Sequence, residues 1–450
     1  MSSKLMVSVS GVRGIVGETL TPEVLIKYSS AFARFCQHGT IVVGRDSRVT
    51  GELMNCAVAT GLLASGCKVI DLGICSTPSI QLMVRELCAD GGLALTASHN
   101  GIEWNALKLI SSRGFFLTRE DNVKFQAILQ KGIFTRVKWD KVRKIERDVT
   151  ANRVYLDKLL SLNYIDIEAL RKRRFRVALD CVNGAGGILC PHLLRELGCE
   201  VVEVNCEPSG LFSHAPEPIP ANLGELCHVV KETRSDIGFA VDPDVDRLSV
   251  VSEKGVAIGE EYTLALCGDF ILQRKKGTVV VNLSTSRMIE DIASDRGSTV
   301  VRAPVGEINV TTELIRRGAI FGGEGNGGVM LPEIHPCRDA AVGMELILQS
   351  LLVSKKKLSQ LADSLPQYTI EKTKINIAGI DVEKALARFK TAFKNGNIDE
   401  RDGIRIDFDN KSWIQLRKSN TEPIIRVIAE GKSPKIVADL LKKSAALMKR

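Results

Sequence analysis

Thr40-Ile41-Val42-Val43-Gly44, Lys68-Val69-Ile70-Asp71-Leu72 and Gly92-Leu93-Ala94-Leu95 are three short apolar runs, and the segments between them have helical spacing. Gly51 to Ser65 and Pro78 to Leu87 each repeat apolar residues at helical intervals. Strand, helix, strand, helix, strand in that order is a βαβαβ unit, whose sheet needs helices against its faces. The pattern returns after the basic stretch Arg171-Lys172-Arg173-Arg174, as strand Phe175 to Asp180, helix Gly187 to Leu197, and strands Glu200 to Val204 and Ile237 to Val241. It returns again as strand Thr278 to Leu283, helix Arg287 to Asp295, and strands Thr299 to Arg302 and Ala319 to Phe321. The last stretch differs. Gly403 to Phe408, Ser412 to Leu416 and Ile424 to Ala429 read as an antiparallel meander flanked by helices Val382 to Phe393 and Pro434 to Met448.

The expected fold class is therefore α/β: three similar α/β domains with mixed sheets, followed by a C-terminal α+β domain. At 450 residues the chain is too long for one core. The pattern divides it into residues 1–152, 153–252, 253–366 and 367–450. Composition is that of an ordinary soluble protein, 44% hydrophobic and 25% charged. The net charge of +8 is modest and its lysines and arginines are scattered, with no long basic tract interleaved with aromatics. Nucleic acid is thereby excluded as the expected partner, while a basic excess suits substrates that carry phosphate. None of the 12 cysteines forms a C-x-x-C pair, and Cys56, Cys67, Cys181 and Cys267 lie in apolar runs, where buried, reduced thiols belong. The start of the sequence reads directly into a strand with no secretory leader, and no apolar run approaches a membrane span. The expectation is a cytoplasmic enzyme without a membrane partner, monomeric or a homodimer.

Four polar loops follow strand-like runs, where open α/β sheets bind their ligands. In Thr96-Ala97-Ser98-His99-Asn100 the serine is a candidate nucleophile; a lone serine in such a place is more often a turn or helix cap. His99 and Asn100 can position a phosphoryl oxygen, and Lys108 can act as general base or acid if desolvated. In Asp242-Pro243-Asp244-Val245-Asp246-Arg247 three alternating carboxylates can converge on one hard cation, Mg²⁺ or Ca²⁺. A calcium EF-hand loop is rejected because its obligatory sixth-position glycine is here Arg247. That arginine is placed for a phosphate or carboxylate.

Gly323-Glu324-Gly325-Asn326-Gly327-Gly328 reads as a flexible polar rim, with Glu324 and Asn326 suited to sugar hydroxyls; a plain hairpin turn is the alternative. Arg417 with Ser419, Asn420 and Thr421 gathers a guanidinium, hydroxyls and successive backbone N–H groups, an anion-binding nest. Arg13, between Gly11 and Gly14, and Arg45-Asp46 after the first strand are read either as structural corners or as functional groups. His335, Arg338 and Asp339 form a candidate sugar or metal cluster, too small to close a zinc site.

In this order the loops resemble the α-D-phosphohexomutase family over essentially the whole chain. The match rests on Thr96-Ala97-Ser98-His99-Asn100 with Lys108, Asp242-x-Asp244-x-Asp246-Arg247, Gly323-Glu324, and Arg417-x-Ser419-Asn420-Thr421-Glu422-Pro423. The resemblance implies four domains around one central cleft and an intramolecular phosphotransferase that interconverts hexose 6-phosphate and hexose 1-phosphate. It implies that Ser98 is the phosphoserine, that Ser98, Asp242, Asp244 and Asp246 hold Mg²⁺, and that Lys108, Arg13 and His99 serve catalysis. Arg247, Glu324, Asn326 and the Arg417 loop would bind the hexose phosphate, with a hexose 1,6-bisphosphate as intermediate and activator.

Many relatives carry serine and histidine where this chain has Asn326 and Gly328, and many carry a basic residue in the segment here reading Val305-Gly306-Glu307-Ile308-Asn309. The Glu-Gly-Asn-Gly-Gly form followed by Arg338-Asp339 looks more like members that act on glucosamine 6-phosphate than on mannose or glucose phosphates. The competing readings are a phosphatase and, from another class, a non-catalytic sugar-phosphate binding protein.

Overall fold

The computed structural model of the chain describes residues 5–377, 380–418 and 424–449. Four sheets follow one another along the sequence. The first has seven strands in the spatial order Met6–Ser8, Gly11–Ile15, Trp104–Ser111, Gly91–Leu95, Thr40–Arg45, Lys68–Ile74 and Ile145–Arg147. Its centre is parallel, and Trp104–Ser111 runs antiparallel between Gly91–Leu95 and Gly11–Ile15. Helices cover both faces, so Ile41, Val42 and Val43 are all excluded from solvent, and the strand is a continuous apolar run rather than an alternating one.

The second sheet, in the order Leu248–Ser252, Ile237–Val241, Arg176–Asp180 and Glu200–Val204, closes on one antiparallel hairpin. The third, in the order Thr299–Ala303, Thr278–Asn282, Phe321–Glu324, Gly328–Leu331 and His335–Arg338, ends in two. The fourth is wholly antiparallel: Thr369–Asn376, Ile424–Gly431, Trp413–Lys418, Ile404–Asp407 and Asn397–Asp399. The fold is thus α/β with mixed sheets and a final α+β domain, as the sequence pattern requires.

Local chemistry sets several element ends. The Ser76 hydroxyl accepts from Ser79 N at 3.1 Å and, with Pro78, starts helix Thr77–Glu86. A capping box between Thr118 and Asp121 opens helix Arg119–Lys131, and left-handed Gly132 ends it.

Three expectations need correction. The strand expected at Ala319 begins at Phe321, because Ala319 N still bonds Leu314 O and closes helix Glu307–Arg317. Residues 323–328 form a hairpin turn, the alternative reading, rather than a flexible rim: Glu324 ends one strand, Gly328 pairs with it to begin the next, and residues 325–327 make the turn. Cys56 is exposed on the outer side of helix Gly51–Ala64, whereas Cys67, Cys181 and Cys267 are buried; all twelve cysteines are free thiols.

Apolar packing joins the domains unequally. One buried cluster is shared by the second and third sheets, running from Tyr155 to Leu365 with Leu82 of the first domain added to it, while the first and fourth domains also keep cores of their own. The first domain docks on the third through polar contacts, among them His335. Its Nδ1 accepts from Arg85 at 3.0 Å while Nε2 donates to the Gly114 carbonyl at 2.6 Å. Among the described residues no helix is long and apolar enough to cross a membrane.

His335 is 2% exposed, and burial lowers its pKa to about 4. Because the folded value lies below the unfolded one, the stability it carries is complete above about pH 6.5 and is lost as pH falls through about 4. Urea unfolding at pH 7 and pH 4.5 should therefore show an acid loss on the order of 3 kcal/mol in the wild type. His335→Gln, which can keep both hydrogen bonds without titrating, should lose less by most of that amount.

Candidate active site

Gly91–Leu95 ends in a loop whose shape is imposed by buried cations and left-handed backbone. Ser98 has φ 50° and donates from Oγ to Asp242 Oδ2 at 2.6 Å, across to the second domain. Thr96 Oγ1 accepts from Ser98 N at 2.9 Å. From beneath, Arg48 donates to the carbonyls of Ser98 (2.6 Å), Asn100 (2.8 Å) and Gly101 (2.6 Å). Asp46 holds the Arg48 Nε at 3.0 Å with both side chains fully buried. Asp46 is therefore a structural corner, as one of its two readings held, but the arginine that gives the corner its use is Arg48. Arg13 reaches Asn100 Oδ1 at 2.5 Å and so also braces this loop.

The facing loop after Ile237–Val241 is folded around one of its own carboxylates. Asp242 Oδ1 accepts from the backbone N–H groups of Asp246 (3.0 Å) and Arg247 (3.2 Å), and Val245 sits at φ 64° to allow it. Two non-glycine residues in left-handed backbone, Ser98 and Val245, meet at this point; such strain persists only where the surroundings over-determine it. Asp244 Oδ2 accepts from Lys108 Nζ at 2.7 Å and Thr77 Oγ1 at 2.6 Å, both from the first domain. Asp246 Oδ2 accepts from Arg338 at 2.5 Å, from the third.

The ligand oxygens of Asp242, Asp244 and Asp246 lie within 4.8 Å of one another, and all three residues are fully buried. Asp244 Oδ1 and Asp246 Oδ1 have no hydrogen-bond partner. Burial, with Asp246 and Asp244 adding to it, pushes the Asp242 carboxyl well above its ordinary range. Burial pushes Asp244 up, but the Lys108 charge and the hydrogen bonds from Lys108 and Thr77 together hold that group below its ordinary value. Buried carboxylates with spare oxygens need a partner, and an all-oxygen set of this size fits a hard divalent cation. No other such group occurs among the described residues.

Arg247 donates to Glu217 Oε1 at 3.1 Å, and His99 Nε2 lies 3.9 Å from the same oxygen. Burial, reinforced by Arg247 and Arg13, lowers the His99 pKa well below its ordinary value, so the imidazole is neutral. Glu324 is buried rather than displayed on a flexible rim. Oε1 accepts from Asn282 (2.8 Å) and Gly306 N (3.0 Å), and Oε2 from Arg338 (3.0 Å) and Asn326 (3.3 Å). Burial would raise its pKa, but Arg338 and these donors hold it below the ordinary value.

In the fourth domain Arg417 is fixed by Asp402 at 2.9 Å, and Asp402 also accepts from Val305 N of the third domain at 2.9 Å. Ser419, Asn420 and Thr421 lie outside the described residues.

Three domains thus meet on one buried carboxylate cluster, and comparison with known proteins gives the same domain order. Residues 4–136, 153–255 and 259–368 match the phosphoglucomutase/phosphomannomutase alpha/beta/alpha domains I, II and III, and 374–447 match the C-terminal domain. The chain belongs to the phosphoglucomutase/phosphomannomutase family. It is a phosphohexomutase, an isomerase. A Thermococcus kodakarensis relative named phosphoglucomutase/phosphomannomutase is 38% identical over 447 residues, covering 97% of each chain. A Methanopyrus kandleri relative named probable phosphoglucosamine mutase is 34% identical over 445 residues, covering 98% of this chain and 97% of its own. The solved structure of a putative phosphomannomutase from Thermus thermophilus is 26% identical, with a TM-score of 0.84 and full coverage of both chains.

Sequence reasoning missed four residues of this phosphohexomutase site: Arg48, Thr77, Glu307 and Asp402. Each works through a tertiary contact with no local motif. The nearest signal was Arg48 itself, two residues beyond Asp46 at the end of a strand. Lysine at position 48 keeps the charge, but its single nitrogen cannot bond Asp46 and three separate carbonyls at once. Arg48→Lys should lower mutase kcat/KM on the order of 10²-fold by displacing Ser98, with the circular-dichroism spectrum unchanged.

Proposed function

We propose that this phosphohexomutase interconverts glucosamine 6-phosphate and glucosamine 1-phosphate through phosphorylated Ser98. The observation that carries the mechanism is the meeting of Ser98 Oγ and Lys108 Nζ with adjacent carboxylates of the 242–246 loop, at 2.6 and 2.7 Å. Phosphoserine 98 gives its phosphoryl group to the free sugar hydroxyl: the P–Oγ bond breaks as the new P–O bond forms. Lys108, acting as the neutral amine after giving one proton up to Asp244, takes the hydroxyl proton, and the leaving Ser98 Oγ takes that proton in turn. The hexose 1,6-bisphosphate then turns over, and its other phosphate returns to Ser98.

Asp242, Asp244 and Asp246 would hold Mg²⁺, which when bound would supply charge compensation for the transferring group. Arg247 adds a second positive charge once it exchanges Glu217 for a phosphoryl oxygen. Neutral His99 serves as a hydrogen-bonding group, and Arg13 acts by bracing Asn100. Arg417, oriented by Asp402, would grip the non-reacting phosphate from the fourth domain with Ser419, Asn420 and Thr421.

Incubation with a hexose 1,6-bisphosphate should add one phosphoryl mass to the intact protein, mapping to Ser98. Little inorganic phosphate should be released during turnover. An unmodified Ser98 would sink the covalent route. Steady phosphate release would favour the phosphatase, and binding without turnover the non-catalytic protein.

The glucosamine preference is supported by the Glu324-Gly325-Asn326-Gly327-Gly328 turn and by the archaeal relatives named probable phosphoglucosamine mutase at 32–34% identity. The relative at 38% carries the glucose and mannose name instead, which makes those sugars the alternative. In a panel at equal concentration, glucosamine 6-phosphate should show the highest kcat/KM, with glucose and mannose phosphates slower by about 10–200-fold if shape alone discriminates. A higher value for either neutral sugar would refute the preference and leave the mutase assignment standing.

A further inference from the structure

Arg338 is the only side chain among the described residues that bonds both the cation-binding loop and Glu324. Each of its nitrogens takes a different carboxylate: Nη2 pairs with Asp246 Oδ2 at 2.5 Å, Nη1 with Glu324 Oε2 at 3.0 Å and Nε with Glu307 Oε2 at 3.1 Å. Glu307 in turn accepts from Gln81 of the first domain at 3.1 Å, so one buried chain of contacts crosses three domains. The pairing has a directional consequence. With Oδ2 taken by Arg338, the other oxygen of Asp246 is left without a hydrogen bond, as is Asp244 Oδ1 beside it.

The stem of this arginine explains a glycine. Gly328 is in ordinary extended backbone, yet a Cβ placed there would lie 2.4 Å from Arg338 Cδ and 2.8 Å from Cγ. Residue 328 thus has no side chain because the arginine occupies that space.

We propose that Arg338 is a positioning residue that fixes Asp246 and Glu324 relative to each other, so that cation affinity and hexose selection are set by one guanidinium, and that Gly328 is required by its stem. Lysine cannot replace it, because a single ammonium does not span three carboxylates in a fixed fork. The link from Glu324 to hexose selection, through Asn326 and the turn that Glu324 anchors, rests on the proposed function; the reading of Asp246 rests on the cluster geometry alone.

The test measures Mg²⁺ binding by titration calorimetry, and kcat/KM for glucosamine, glucose and mannose phosphates. The full chain is compared with Arg338→Lys, Arg338→Ala, Gly328→Ala and the double variant Gly328→Ala/Arg338→Ala. Loss of a group that orients a metal ligand typically costs about 10–100-fold in affinity, and Arg338→Ala should weaken Mg²⁺ within that range. Arg338→Lys should recover little. Gly328→Ala should weaken Mg²⁺ in the same direction, and should add nothing once Arg338 is alanine, since both act through one contact. The ratio of kcat/KM between sugars should shift in the same variants.

Unchanged Mg²⁺ affinity and sugar ratio in Arg338→Lys and Gly328→Ala would overturn the proposal, as would a wild type that binds no Mg²⁺. Those two variants keep the charge, so they decide the matter even if Arg338→Ala does not fold. Calorimetry needs no turnover: a wild type that binds Mg²⁺ but isomerises no hexose phosphate would refute the proposed function and leave the Mg²⁺ comparison to judge Arg338.

Discussion

Three carboxylates packed within 4.8 Å and sealed from water are the constraint around which this protein is organised. Like charges at that distance in a dry site repel strongly, so Asp242, Asp244 and Asp246 can coexist only if other parts of the chain answer them. Each is answered from a different direction. Ser98 donates to Asp242, Lys108 and Thr77 to Asp244, and Arg338 to Asp246. The first two come from the first domain and the last from the third. The carboxylate loop is thereby the point at which three domains are held in register, and the two oxygens still free define where a cation fits.

The same economy shapes the serine loop. Arg48 is fully buried and its charge is balanced by Asp46, which leaves its remaining donors for the carbonyls of Ser98, Asn100 and Gly101 that a helix or sheet would otherwise satisfy. The loop is rigid without being regular, and Ser98 can occupy a left-handed conformation that a free loop would abandon. Reactive geometry here is imposed by buried ion pairs, not by secondary structure.

The fourth domain attaches differently. Its meander docks on the third domain through side-chain to backbone contacts: Arg405 to the Leu283 carbonyl, Asp402 to Val305 N, and Glu430 to Arg287 N. It keeps a hydrophobic core of its own, whereas the second and third domains share one. An interface made of polar contacts around a separate core is suited to rigid-body movement. Arg417 is set beside that interface by Asp402, the residue that also touches the third domain.

Strands buried on both faces and amphipathic helices announce themselves through period, so Thr40–Arg45, Lys68–Ile74 and their counterparts were legible from residues 40–95 onward. The antiparallel strands were less so. Trp104–Ser111 and His335–Arg338 carry buried polar groups such as Asn105, Lys108 and Arg338, which break the apolar run that marks a strand. Sequence alone determined the α/β class, the four-domain order, and the serine and aspartate loops, because type and spacing within a few residues fix local chemistry. Tertiary structure alone decided that Glu324 is a buried, fully bonded anchor, that Arg48 shapes the serine loop, and that Arg338 ties Asp246 to Glu324. Those roles depend on residues brought together from up to 92 positions apart, and no local pattern encodes which buried charge will meet which.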